Sequence, residues 1–166
     1  MPNPHPAIVH LVIGMFVVAI ACELISYFAR STLFSQASLI NSVGAAFAAI
    51  LAVITGLLAK GEVIVPDSAL AVIDSHETLG YLVLGTSIIF AALKFLSFSK
   101  KTDKYLVALV AAGLAGLIAV ILAAHEGGEL VYKYGVGVSS EGSRSEVKEK
   151  TPDTTSKPNT NDFNEK

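Results

Sequence analysis

Charge is scarce in this chain. Only 16% of its 166 residues are Asp, Glu, Lys or Arg, against 52% hydrophobic residues, and mean hydropathy is +0.60. A soluble domain of this size carries about 25% charged residues, so the composition argues against a water-soluble fold and for a membrane protein. Cysteine is almost missing: the single Cys22 excludes an intramolecular disulfide and leaves the redox compartment open. There is no Gly-rich phosphate loop, no Ser-His-Asp constellation on a soluble scaffold and no basic stripe, and Gly135-x-Gly137 is too short for a nucleotide site. Nucleotide chemistry, triad hydrolysis and nucleic-acid binding are therefore not expected. No basic residue precedes the first apolar run, and that run exceeds the roughly 7 to 15 residues of a signal core, so it is expected to stay in the mature protein.

Four apolar runs carry the hydrophobic excess, over 7–29, 39–59, 78–98 and 105–124. Each holds about 20 residues or slightly more, enough at about 1.5 Å per residue to cross a hydrocarbon core of roughly 30 Å as a helix. The expected fold is all-α, a four-helix transmembrane bundle over 1–138, with a polar tail over 139–166 whose composition predicts disorder. The short turns 30–38 and 99–104 share one side and collect Arg30, Lys100, Lys101 and Lys104, with Lys94 close by in the third run. The positive-inside rule makes that side cytoplasmic, in a multi-pass inner-membrane protein whose termini and 60–74 loop face outward.

An internal repeat supports this threading. At an offset of 71, His10-Leu-Val-Ile-Gly14 matches Tyr81-Leu-Val-Leu-Gly85, and the match continues through Glu23 with Lys94, Ser26 with Ser97 and Tyr27 with Phe98, while His5 falls on His76. At an offset of 67, Gly61-Glu-Val-Ile64 matches Gly128-Glu-Leu-Val131. The chain reads as two helical hairpins in parallel orientation about an axis along the membrane normal. Glu23 and Lys94 are repeat-equivalent charges inside spans, where a lone charge costs up to about 3 kcal/mol, so they are expected to pair or to snorkel separately.

All four histidines, His5, His10, His76 and His125, fall at one face of the membrane in this threading. Asp74-Ser-His-Glu77 reads as a capping box, and Asn3 with Pro4 offers a similar start to the first helix, which sets His5 and His76 in first turns where the helix dipole favours a neutral ring. His125 falls at the opposite kind of helix end, beside Glu126 and Glu129, which favour protonation. His10 with His76 or His125 is the first ligand pair to consider. His5 lies about 140° around the helix from His10 at about 100° per residue, so those two should not share a ligand.

Small residues recur every fourth position, at Gly44, Ala48, Ala52 and Gly56 and at Ala111, Ala115, Ala119 and Ala123, which predicts close helix packing and permits a flat macrocycle. Glycines 127, 128, 135 and 137 are expected to end the last helix, and Leu130-Val-Tyr132 with Tyr134 to anchor at the interface or cover the site.

His5-Pro-Ala-Ile-Val-His10, Ser75-His76-Glu77 and the string from His125 through Gly127-Gly-Glu-Leu-Val-Tyr-Lys-Tyr-Gly-Val-Gly-Val138 resemble the bacterial four-helix membrane family called domain of unknown function 2231, over about residues 1 to 138. Leu11-Val12 stands where that family often shows Phe-Pro. The resemblance implies redox company, since members occur joined to cytochrome c or Rieske-like domains. It implies no particular reaction.

Three readings of the histidines follow. In the first, two of His5, His10, His76 and His125 ligate haem b for electron transfer, their other ring nitrogens bonding a carbonyl or a carboxylate such as Glu77 or Glu126. In the second, His10, His76 and His125 with Glu77 or Glu126 hold a zinc, copper or iron ion, or form a proton-linked transport path, although no His-x-x-x-His spacing is present. In the third, the histidines are structural, each snorkelling or bonding a loop carbonyl. Beyond the lipid bilayer, the expected partners are cytochrome c or Rieske-like redox proteins.

Overall fold

The computed structural model describes residues 4–138. The tail expected to be disordered, and Asn3 as a helix cap, lie outside the described residues. Four helices follow one another: α1 (His5–Ala29), α2 (Thr32–Glu62), α3 (Leu70–Lys100) and α4 (Leu106–Tyr132), with one 3-10 turn at Asp67–Ala69. All four are long and apolar enough to cross a membrane. Their outer faces carry large apolar side chains such as Phe28, Ile40, Phe47 and Leu58, which bulk water would reject and lipid accepts. The protein is an all-α membrane bundle.

The helices outrun the apolar stretches. The turn expected over 30–38 shrinks to two residues, because α2 starts at Thr32 with polar residues that face its neighbours: Ser38 and Ser42 are buried. Likewise α3 starts at Leu70, before the expected capping box. Asp74 lies inside the helix as an ion-pair partner of Lys60 rather than at its N-cap. At the other end of the chain Gly127 and Gly128 lie within α4, and only Gly135 and Gly137, at φ 67° and 77°, shape the turns that follow.

The internal repeat is a structural fact, with one register of 71 throughout. Both hairpin turns use the same geometry: Arg30 and Lys101 adopt left-handed φ of 51° and 49°, and the Ser26 and Ser97 hydroxyls each donate to a carbonyl five residues on, at Ser31 and Thr102. The hydrogen bonds described below align Ala52 with Ala123 and Gly56 with Gly127, so 71 replaces the offset of 67 expected for the second and fourth helices.

Packing follows alternating steps of three and four residues. On α2 the inward stripe runs Ser38, Ser42, Ala45, Ala49, Ala52 and Gly56, and on α4 it runs Leu109, Gly113, Gly116, Val120, Ala123 and Gly127. Ala111 and Ala115, expected in the α4 stripe, are exposed. The reason is geometric: a row of fourfold steps drifts about 40° per step at about 100° per residue, whereas a mean step of about 3.5 stays against a neighbour. At mid-depth Phe16 of α1 meets Phe90 of α3 edge to face, with centroids 5.7 Å apart. Gly116 makes room for the Phe16 ring, since a Cβ there would stand 2.5 Å from its Cζ. Along their lengths α1 packs on α2, α2 on α3 and α3 on α4, while α1 and α4 meet only over a short stretch.

Two polar layers bound this core. At one end, called here the histidine end, lie the start of α1, the 63–69 loop and the end of α4. At the other, the ion-pair end, Lys94 of α3 reaches Glu23 of α1 at 2.5 Å and donates to Ser35 Oγ of α2 at 2.9 Å, with both charged residues buried. The expected pairing of Glu23 with Lys94 is what the bundle adopts.

A candidate site at the histidine end

Two of the four histidines come together, and they are the repeat-equivalent pair. The His5 ring projects from the first turn of α1 toward α2, where Nδ1 lies 3.0 Å from the Ala52 carbonyl and 3.3 Å from Thr55 Oγ1. The His76 ring projects from α3 toward α4, with Nδ1 3.0 Å from the Ala123 carbonyl. A carbonyl oxygen can only accept, so Nδ1 carries the hydrogen in each neutral ring and Nε2 holds the lone pair. The Thr55 hydroxyl donates to Leu51 O at 2.8 Å and so acts as a further acceptor toward His5. The two rings face each other across the bundle axis, centroids 6.4 Å apart and planes at 86°.

Glycine seats both rings. A Cβ at Gly56 would stand 3.0 Å from His5 Cε1, and one at Gly127 would stand 3.1 Å from His76 Cε1. These contacts are tight enough that an added methyl must displace the imidazole or the helix. Sequence reasoning treated Gly127 as a helix terminator and Gly56 as general packing. The signal that could have found both is the offset of 71 carried into α2 and α4, which lays Gly56 on Gly127 and Ala52 on Ala123.

His10 and His125 are elsewhere. His10 is exposed on α1, its Nδ1 2.6 Å from the Pro6 carbonyl of its own helix. His125 is exposed on α4, two turns before the helix ends and not at its terminus. The structure brings His5 and His76 together, and not His10 with His76 or with His125. The angular argument that separated His5 from His10 also explains this, since only one of two positions about 140° apart can face the axis. His76 lies well inside α3, so its neutral tautomer is set by the Ala123 carbonyl rather than by a helix N-terminus.

The carboxylates have other partners. Glu77 accepts from Lys60 Nζ at 2.7 Å and from the Tyr81 hydroxyl at 3.1 Å, and Asp74 accepts from Lys60 at 3.0 Å. Glu126 accepts from Ser75 Oγ at 2.7 Å. Both histidine Nδ1 bonds go to backbone carbonyls, not to Glu77 or Glu126. Among the described residues no group of three or more His, Cys, Asp or Glu side chains is placed to hold a metal ion. The segment after His125 packs on the start of α3: Leu130 is buried with Ala69 and Ile73, Tyr134 and Val136 lie against them, and Tyr132 is 93% exposed.

A family model described as Predicted membrane protein (DUF2231) matches residues 2–140. No curated protein and no solved structure matches the chain.

Proposed function

From the premise that this chain belongs to the DUF2231 family of predicted membrane proteins, a description that names neither ligand nor reaction, we propose that His5 and His76 hold one haem b between α1 and α3 for electron transfer. The observation that carries this reading is the facing pair itself, 6.4 Å between centroids at 86°. One group lying between the two helices would be held by both rings, one imidazole from α1 and one from α3.

The donor set supports the same choice. A tetrahedral zinc site needs four donors and an octahedral ion six, while a haem brings four nitrogens of its own and asks the protein for two. Small residues flank the rings on both remaining helices, Ala52 and Gly56 on α2 and Ala123 and Gly127 on α4. When bound, haem supplies a one-electron iron couple. The chain fixes the imidazoles: each Nδ1–H donated to a carbonyl orients its ring and makes Nε2 a better donor. Below the pair, Val12, Phe16, Val83 and Phe90 are buried and keep water from the axis.

Orientation follows from charge. Arg30, Lys100, Lys101 and Lys104 are all exposed at the ion-pair end, so the positive-inside rule directs that end to the cytoplasm and the histidine pair outward. There it would exchange electrons with a soluble partner such as a cytochrome c or Rieske-like domain.

Visible absorption of protein purified from haem-replete cells tests the reading. A sharp spectrum that changes on reduction is expected, and loss of it in both His5→Ala and His76→Ala. A colourless protein with no extractable haem overturns the proposal. The carbonyl hydrogen bonds favour a second reading, in which the histidines only clasp neighbouring helices. His5→Asn and His76→Asn separate the two, because an Asn amide can replace the Nδ1 donor but offers no Nε2. Ligation predicts stable, colourless variants; clasping alone predicts that wild type is colourless too.

A further inference from the structure

A bundle built from two equivalent hairpins has two equivalent seams, α2 against α3 and α4 against α1. They are not alike. Three polar bridges close the α2–α3 seam: Lys60 with Asp74 at 3.0 Å, Lys60 with Glu77 at 2.7 Å, and Lys94 with Ser35 at 2.9 Å. Seventy-one residues away from Lys60, Glu77 and Ser35 stand Val131, Pro6 and Leu106, so each equivalent bridge between α4 and α1 lacks at least one polar member, although Glu23 stands for Lys94 and Asn3 for Asp74. Among the described residues no ion pair joins α1 to α4, and His5 aside, none of the side-chain hydrogen bonds does. The two helices touch where Phe16 lies over Gly116 and Ile20 over Gly113. Toward the histidine end the same α1 stripe continues through Ile13 and Val9, which are half-buried.

We propose that the α1–α4 seam is a lateral gate, at which the bundle parts to admit a planar, membrane-dissolved ligand to His5 and His76, with the bridged α2–α3 seam as the hinge. Parting α1 from α4 at the Phe16–Gly116 and Ile20–Gly113 contacts separates apolar surfaces that lipid tails cover equally well, because apolar contact carries little driving force in a bilayer; the Glu23–Lys94 pair ties α1 to α3 and not to α4. Parting α2 from α3 would strip the buried Lys94–Ser35 bond, for which lipid offers no replacement, and would break the two exposed ion pairs of Lys60 as well. The ligand's identity as haem b rests on the preceding proposal; the opening motion does not. Access from the bilayer suits a macrocycle that is apolar over most of its surface and too wide to slip between the turns of a closed bundle.

Two measurements on the full chain in a Cys22→Ser background test the gate. Spin labels at Leu11→Cys and Leu122→Cys report α1–α4, and labels at Leu58→Cys and Leu82→Cys report α2–α3; all four native side chains are exposed. The α1–α4 distance distribution should be the broader of the two and should narrow when haemin is added. Equal widths overturn the gate whether or not haem binds. The second measurement uses Ile20→Cys with Gly113→Cys, where the Ile20 side chain already lies 3.3 Å from the Gly113 Cβ position. Oxidation should slow haemin uptake about tenfold or more, in proportion to the lost open population, and reduction of the same sample should restore it. Equal uptake in the oxidised and reduced protein overturns the gate. Failure of the wild type to take up haem refutes the ligand, and the spin-label comparison then decides the gate alone.

Discussion

Glu23 and Lys94 occupy the same place in the two halves of the bundle, yet they carry opposite charges and meet at 2.5 Å across the axis. Each lies five helical turns from its histidine, so α1 and α3 present along one stripe a histidine, an apolar middle and a charge. Two identical halves would bring like charges together there. The divergence of this one pair turns a forbidden contact into a buried ion pair, and Ser35 satisfies a further Lys94 proton. The aromatic layer diverges in the same way: Phe16 corresponds to Ser87 and Phe90 to Ala19, so each large ring stands where its counterpart is small. The histidines, with Val12 and Val83 below them, remain identical across the axis.

The ion pair should be strongly coupled. Glu23→Gln alone leaves the Lys94 charge buried and should cost about 3 kcal/mol in detergent-micelle unfolding, while the exchange of Glu23→Lys with Lys94→Glu should recover much of the loss. Additive effects in a double-mutant cycle of Glu23→Gln with Lys94→Met would show that the two side chains act independently.

Gly56→Ala and Gly127→Ala should displace the His5 and His76 rings, since each added methyl would stand 3.0 or 3.1 Å from Cε1, inside ordinary van der Waals contact. We expect each to lower stability by about 1 to 3 kcal/mol and to perturb the visible spectrum of haem-loaded protein. Gly128→Ala is the control, because a Cβ there meets nothing within 4 Å. If all three variants behave alike, the glycines do not seat the rings.

His10 and His125 should be dispensable for the ligand. Alanine at either is expected to leave the spectrum and the metal content of the purified protein unchanged, as both side chains are exposed and turned from the His5–His76 pair. Loss of colour in His10→Ala or His125→Ala, with retention in His5→Ala, would return the assignment to the outer histidines.

Topology is checked by single-cysteine labelling on Cys22→Ser. A cysteine at Ser68 should react with an impermeant reagent from outside intact cells, and one at Asp103 only after permeabilisation; both positions are exposed, at opposite ends of the bundle. The reverse pattern would invert the molecule and put the histidine pair on the cytoplasmic side.

Four spans, their antiparallel threading, the repeat of α1 in α3 and the Glu23–Lys94 pair were legible in the amino-acid order alone. Those features depend on apolar length, on charge placement and on offsets within single helices, all of which are local quantities. Helix ends were less legible, because α2 and α3 continue through polar residues, Ser38 buried against the neighbouring helices and Asp74 paired with Lys60 of α2. The choice among four histidines was not legible at all. Sequence placed His5, His10, His76 and His125 at one depth, but which imidazoles face the axis depends on the rotation of each helix. That rotation is set by the stripes of small residues on α2 and α4, and by the Phe16 ring finding its space at Gly116. Only the packed bundle could decide it.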